Sequence, residues 1–188
     1  MKRLITAVVA TLSLNLAFAV EVDGVKFDDK VKVGGSDLVV NGTGVRTKFG
    51  KRYVAALYVA AKSGDANAII ASKGAKRIAL HLTKDGDGKT FAKAFASGIE
   101  DNASEAEMAA IKDRVSAFSD MMKGMGEVKE GAIILIDYTP EKGTLVSVSG
   151  KPLGKEIAGE DFFKGLLKVW LGKSPVQDDL KAGLLGKS

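Results

Sequence analysis

The chain has 188 residues, 46% of them hydrophobic and 27% charged, with 22 Gly, three Pro and no Cys. That composition belongs to a globular domain and excludes a disordered tail or a collagen-like fibre. Without cysteine there is no disulfide framework, thiolate zinc site, cysteine nucleophile or iron–sulfur cluster.

The formal charge is +5, from 28 basic and 23 acidic side chains. The first residues distort it. Met1-Lys2-Arg3 is a cationic start, Leu4 to Leu16 is an almost uncharged run, and Ala17-Phe18-Ala19 is a small-x-small triplet. That order is the pattern of a secretory signal peptide. The run is shorter than the roughly 20 apolar residues a bilayer span needs, so no stable membrane insertion is expected after cleavage. The sequence therefore predicts a leader over residues 1–19, cleaved near Ala19, and one domain over residues 20–188 in the periplasm or outside the cell. Losing Lys2 and Arg3 takes the net charge from +5 to +3. With acids interleaved among the bases and only 6% aromatic residues, nucleic acid is not an expected partner.

The predicted domain opens with half-buried strands over Val20 to Phe27 and Lys30 to Val33, separated by Asp-Gly and Asp-Asp turns. Asp37 to Asn41 and a glycine-punctuated stretch, Gly42 to Gly50, lead into Arg52 to Ala60, apolar enough for a strand covered on both faces. A short helix is predicted from Asp65 to Ser72, and a strand from Arg77 to Leu82. A helix over Lys89 to Asp101 carries Phe91, Phe95 and Ile99 at four-residue spacing. The next begins at Ser104 with Glu107 three residues on, a capping-box pattern, and places Ile111, Val115, Phe118, Met122 and Met125 on one stripe. Gly131 to Tyr138 and Gly143 to Ser149 read as a hairpin around Thr-Pro-Glu-Lys, with Leu145 facing the core, and a short strand follows at Lys155 to Ile157. The end is helical, from Asp161 to Leu171 and, after Pro175 at a helix start, from Asp178 to Leu185. Strands in hairpins with helices grouped between them argue an α+β fold on an antiparallel sheet.

Familiar catalytic motifs fail one by one. His81 is the sole imidazole, on a strand pattern, and no G-x-S-x-G elbow presents a serine to it. Asp85-Gly-Asp-Gly88 starts like a calcium loop, but the bidentate acid is missing, since its twelfth position is Ala96. Gly42-x-Gly44 lacks the third glycine of a dinucleotide fingerprint, and Gly44 to Lys51 only resembles a phosphate loop, with one residue too many and Arg52 where Ser or Thr must hold magnesium, so both are rejected. No metal or cofactor is expected. Asn41-Gly-Thr43 and Asn102-Ala-Ser104 fit surface glycosylation sequons, to which no role is assigned. Arg46 stands apart, directly after Gly42-Thr-Gly44-Val and between apolar runs; its guanidinium either snorkels to water or faces inward to meet an anion.

Asn41-Gly-Thr-Gly-Val-Arg46 with the Tyr53 to Val59 strand, followed late in the chain by Asp161-Phe-Phe, Val169-Trp-Leu-Gly172 and Pro175-Val-Gln-Asp-Asp-Leu-Lys181, resembles the chalcone isomerase-like family, in its secreted bacterial branch. The resemblance implies an open-faced β-sandwich: a large antiparallel sheet with helices on one face and a ligand cleft between. In the plant enzymes of the family a cleft arginine, helped by hydroxyls and an asparagine, polarises the substrate for ring closure. Carried over, the arginine is Arg46, a strand threonine falls on Tyr53, and a helix tyrosine falls on Phe91 or, in a shifted register, Phe95. Its companion asparagine falls on Gly98 or Asn102, and a C-terminal threonine on Val169. Most of the polar groups are thus absent. What the resemblance leaves is an arginine beside an apolar cleft with Tyr53, Phe91, Phe95, Val169 and Trp170 as lining. The expectation is a non-catalytic binder of a small amphipathic anion such as a fatty acid. The alternatives are an isomerase or intramolecular lyase using Arg46 and Tyr53 on a non-chalcone substrate, and an interaction protein whose cleft is filled.

Overall fold

A computed structural model describes residues 19–187. The expected leader lies outside them except for Ala19, which begins the first strand. Strands β1 (Ala19–Val22) and β2 (Val25–Asp28) form a hairpin through Asp23-Gly24, both at left-handed φ. Then come β3 (Lys30–Val33), β4 (Ser36–Thr47), β5 (Lys51–Val59), helix α1 (Ala66–Ala71) and β6 (Lys76–Leu82). The two-residue β7 (Gly86–Asp87) leads into α2 (Gly88–Glu100) and α3 (Glu105–Lys123), and its partner β8 (Glu127–Val128) follows. The chain finishes with β9 (Ile133–Thr139), β10 (Gly143–Val148), β11 (Lys151–Ile157), α4 (Glu160–Leu171) and α5 (Asp178–Leu184).

Seven strands make one antiparallel sheet in the order β11-β10-β9-β6-β5-β4-β3. Its two faces have different covers, and β5 supplies both: Tyr53, Ala55, Leu57 and Val59 point to the helices, while Val54, Ala56 and Tyr58 point away. On the helical side, Ile78, Leu80, Ile134 and Ile136 meet Phe95, Ile99, Phe118, Phe162 and Leu166. On the other, Val25 and Phe27 of the small hairpin cover Leu38, Val40 and Tyr58; Val54, Ala56 and Ala79 are also buried, and toward β9 and β10 Leu135, Asp137 and Leu145 are only half-buried. There Arg77 of β6 and Asp137 of β9, directly opposite each other, form a bidentate pair at 2.5 and 2.6 Å. This is the open-faced α+β architecture expected from the family resemblance.

Helix starts follow their caps. Asp65 accepts from the backbone N–H of Asn67 and Ala68, Asp87 from that of Thr90, and Ser104 with Glu107 completes a reciprocal capping box. Five local expectations are corrected. The glycine-punctuated stretch is not a break: it runs inside the twelve-residue β4, bulged at Val40/Gly42 and Arg46/Thr47. Leu145 is half-buried on the open face, because alternation along β10 turns Val146 toward the helices instead. Pro175 precedes α5, whose N-cap is Gln177, and Met125 lies just past α3, which Gly124 caps. Asn41 is buried at 7% exposure, not displayed, since its side-chain amide donates to the carbonyls of Ser63 and Leu184 and accepts from Ser63 N–H.

Candidate ligand-binding site

The glycines before Arg46 have a packing reason. A Cβ on Gly42 would run into the backbone of Gly183 and Leu184, and one on Gly44 into Leu180. Gly183 in turn lies against the Thr43 carbonyl. Helix α5 therefore rests on bare strand backbone, and Gly-x-Gly here serves helix–strand contact and not phosphate.

Arg46 and Tyr53 are direct partners across β4 and β5, so both project to the helix side. The β-bulge beside Arg46 re-aims the strand end. Gln177, at the start of α5, then clamps it: its side-chain carbonyl accepts from Arg46 Nη1 (3.2 Å) and Thr47 N–H (2.9 Å), and its Nε2 donates to the Val45 carbonyl (3.1 Å). Nη1 also donates to the Thr47 carbonyl at 3.0 Å. Both Nη1 hydrogens are thereby used. Nε and Nη2, the edge suited to bidentate capture of a carboxylate, have no partner among the described residues.

Beside this edge lies a cavity of about 230 Å³. Its apolar wall comes from Tyr53 of β5, Phe91, Ala94 and Phe95 of α2, Val169 of α4 and Val176. The mouth is charged, with Arg46, Lys48, Arg52 and Lys84 facing two acids, Asp85 and Asp87. Each acid is occupied elsewhere. Asp85 accepts from Glu130 N–H and Lys129 Nζ, which hold its carboxyl below the usual range, and Asp87 is held low by Thr90, whose hydroxyl and N–H it accepts. Those duties replace the calcium-loop role that Asp85-Gly-Asp-Gly88 superficially suggests.

Tyr53 is buried, and that burial pushes its phenol up to about 12 against the smaller opposing pulls of Trp170 and Arg46. Its oxygen accepts from Trp170 Nε1 at 3.1 Å. Trp170 itself is only 1% exposed and is placed one layer behind the cavity, with its ring 5.6 Å from that of Phe95. It positions the wall and does not form it. Phe91 and Phe95, four residues apart on α2, both line the space, so the choice of register between them does not change the lining. Gly98 and Asn102 do not reach it. Gly98 lets α2 approach Val169, and Asn102 ties the end of α2 to Ser174 by donating to its carbonyl and accepting from its N–H.

Lys48, Arg52 and Lys84 at the mouth, and Gln177 beside it, are functional residues that the sequence alone does not point to as ligand-binding. Gln177 had the one available signal, its place in the block from Pro175 to Lys181. The pairing of that block with Arg46 spans 131 residues of chain.

A model of chalcone isomerase-like proteins matches residues 19–186, nearly all of the described chain. The chain belongs to the chalcone isomerase-like family. Among solved structures, this chalcone isomerase-like chain is similar to a fatty-acid binding protein of Arabidopsis thaliana at 12% identity, covering 89% of this chain and 96% of that one with a TM-score of 0.67. At that identity the likeness speaks for the fold. No curated protein sequence matches the chain.

Proposed function

We propose that this chalcone isomerase-like protein binds a small amphipathic molecule with one anionic head, a fatty acid being the fitting case, and holds it without converting it. The observation that carries this reading is the free Nε/Nη2 edge of Arg46 beside an apolar cavity wall. A carboxylate on that edge would gain charge-assisted hydrogen bonds while its acyl chain replaces water against Phe91, Phe95, Val169 and Val176. The similar fold of the Arabidopsis fatty-acid binding protein supports the same ligand class. The cavity is smaller than the roughly 300–1,000 Å³ of drug-sized sites. It therefore suits a short or medium acyl chain, or the first part of a longer one that leaves through the open mouth. The cationic and apolar start of the sequence supports action outside the cytoplasm, in the periplasm or beyond.

Holding without converting follows from the same lining. Phe91, Phe95 and Val169 offer no hydroxyl, and of the two hydroxyls in the lining, Tyr53 and Thr90, the second already donates to Asp87. A ring-closing reaction needs donors aimed at developing charge, each typically worth about 3 kcal/mol.

The test is to purify the protein, extract it with organic solvent and identify co-purifying molecules by mass spectrometry. A carboxylic acid with an acyl tail is expected. Empty extracts from both untreated and fatty-acid-supplemented preparations would contradict the binder. Chalcone cyclisation, followed by absorbance, is expected at background, and turnover that depends on Arg46 would contradict the non-catalytic reading.

A further inference from the structure

One side chain at the cavity mouth has no folding reason to be where it is. Phe49, at the tip of the β4–β5 hairpin, is 94% exposed. It also sits at a left-handed φ of 53°, next to Gly50 at 94°. Gly, Asn or Asp takes that backbone position more readily, so a phenyl ring there neither eases the turn nor gains from burial. The other large hydrophobic residue exposed among the described residues, Ile133, reaches only 41%.

The surroundings of Phe49 are cationic. Lys48, Arg52 and Lys84 make no ion pair among the described residues, whereas Lys51 is held by Asp23. The two nearby acids, Asp85 and Asp87, are already bonded to Lys129, Glu130 N–H and Thr90. An exposed aromatic ring ringed by unpaired cations matches a surface that is anionic at its plane and apolar just beneath, which is an anionic lipid bilayer. Charge brings the tip to the headgroups, and the ring then leaves water.

We propose that the tip of the β4–β5 hairpin docks on anionic lipid membranes, with Phe49 inserted between headgroups and Lys48, Arg52 and Lys84 against them. Docked in this way, the cavity mouth, which Phe49 borders, opens toward the bilayer. This surface is defined by exposure and charge and does not depend on whether the cavity holds a fatty acid.

The experiment is co-sedimentation with vesicles of phosphatidylglycerol and phosphatidylcholine in equal parts, against vesicles of phosphatidylcholine alone. Binding is expected to the anionic vesicles, to weaken with salt, and to fall about tenfold or more in Phe49→Ser and in the Lys48→Glu/Lys84→Glu double variant. All three side chains are exposed, so these variants are expected to fold, which circular dichroism checks. In Phe49→Trp, the added indole is expected to shift its emission to the blue on anionic vesicles, above the signal of the buried Trp170. No sedimentation of the wild type with anionic vesicles would overturn the proposal. So would equal binding by Phe49→Ser and the double variant, or an unshifted Phe49→Trp. Self-association in vesicle-free sedimentation that Phe49→Ser abolishes would also overturn it, because the occupant would then be a second copy of the chain. A failed cavity reading would show separately, as fatty-acid affinity that ignores Arg46→Ala in the absence of vesicles.

Discussion

Aromatic residues line both ends of the helix-covered face of the sheet, yet one end is solid and the other hollow. Toward β10 and β11, Phe118, Phe162 and Phe163 are at most 2% exposed, with Phe118 against Phe162 at 5.6 Å and Phe163 stacked on Tyr138 at 4.7 Å. Toward the β4–β5 tip, Phe91 is half-buried beside the cavity and Phe49 is in solvent. Phe95 stands between, against Phe91 on one side and Phe118 on the other, with Trp170 beside it. Residue type does not separate the two ends. What differs is the cover: α3 and α4 both lie over the far end, while near Arg46 the helix α5 is drawn down onto Gly42 and Gly44, and the space between α2 and Val176 stays open.

The sharpest way to break this contrast is truncation at each end. Phe162→Ala, at full burial, is expected to cost about 3–5 kcal/mol of stability, whereas Phe91→Ala costs about 1–2 kcal/mol and mainly widens the cavity. Urea unfolding measures both, and equal losses would mean the two ends are packed alike. Next in size is Gly44→Val, which forces α5 off β4 and is expected to cost about 1–3 kcal/mol by overpacking. A neutral result there would remove the stated reason for the glycines. Gln177→Ala is expected to cost about 1 kcal/mol through lost hydrogen bonds, and to weaken ligand binding by letting Arg46 swing.

The smallest effect shows only at alkaline pH. Burial pushes Tyr53, and with Tyr58 the nearby Asp28 as well, up to about 12, so the folded chain holds these phenol protons more tightly than the unfolded chain. Between pH 10 and about 12 the unfolded state loses them first, and stability therefore falls as pH rises through that window. Tyr53→Phe is expected to flatten the fall. Phenolate absorbance rising near pH 10 in the native protein would contradict the burial.

The elements were largely legible in the sequence because their signals are local. Asp65, Asp87 and Ser104 with Glu107 mark helix starts by chemistry that acts within three residues, and the apolar run of β5 needs only its own length to declare two covered faces. Less legible was anything decided at a distance. The buried place of Asn41 depends on Ser63 and Leu184, the outward turn of Leu145 on the register of β10 with β9, and the setting of Trp170 behind Tyr53 on a bond across 117 residues. Arg46 shows the boundary most clearly. Its isolation between apolar runs was visible, but its sequence environment left two orientations open, and Gln177, which decides between them, lies at the other end of the chain.

Whether Arg46 holds the head group can be read from a calorimetric titration of decanoate into the wild type and Arg46→Ala, without membranes present. Loss of a charge-assisted bidentate contact is expected to weaken binding roughly 10- to 100-fold while circular dichroism reports the same fold. Wild-type affinity in Arg46→Ala would contradict the role given to the arginine at the mouth of this cavity.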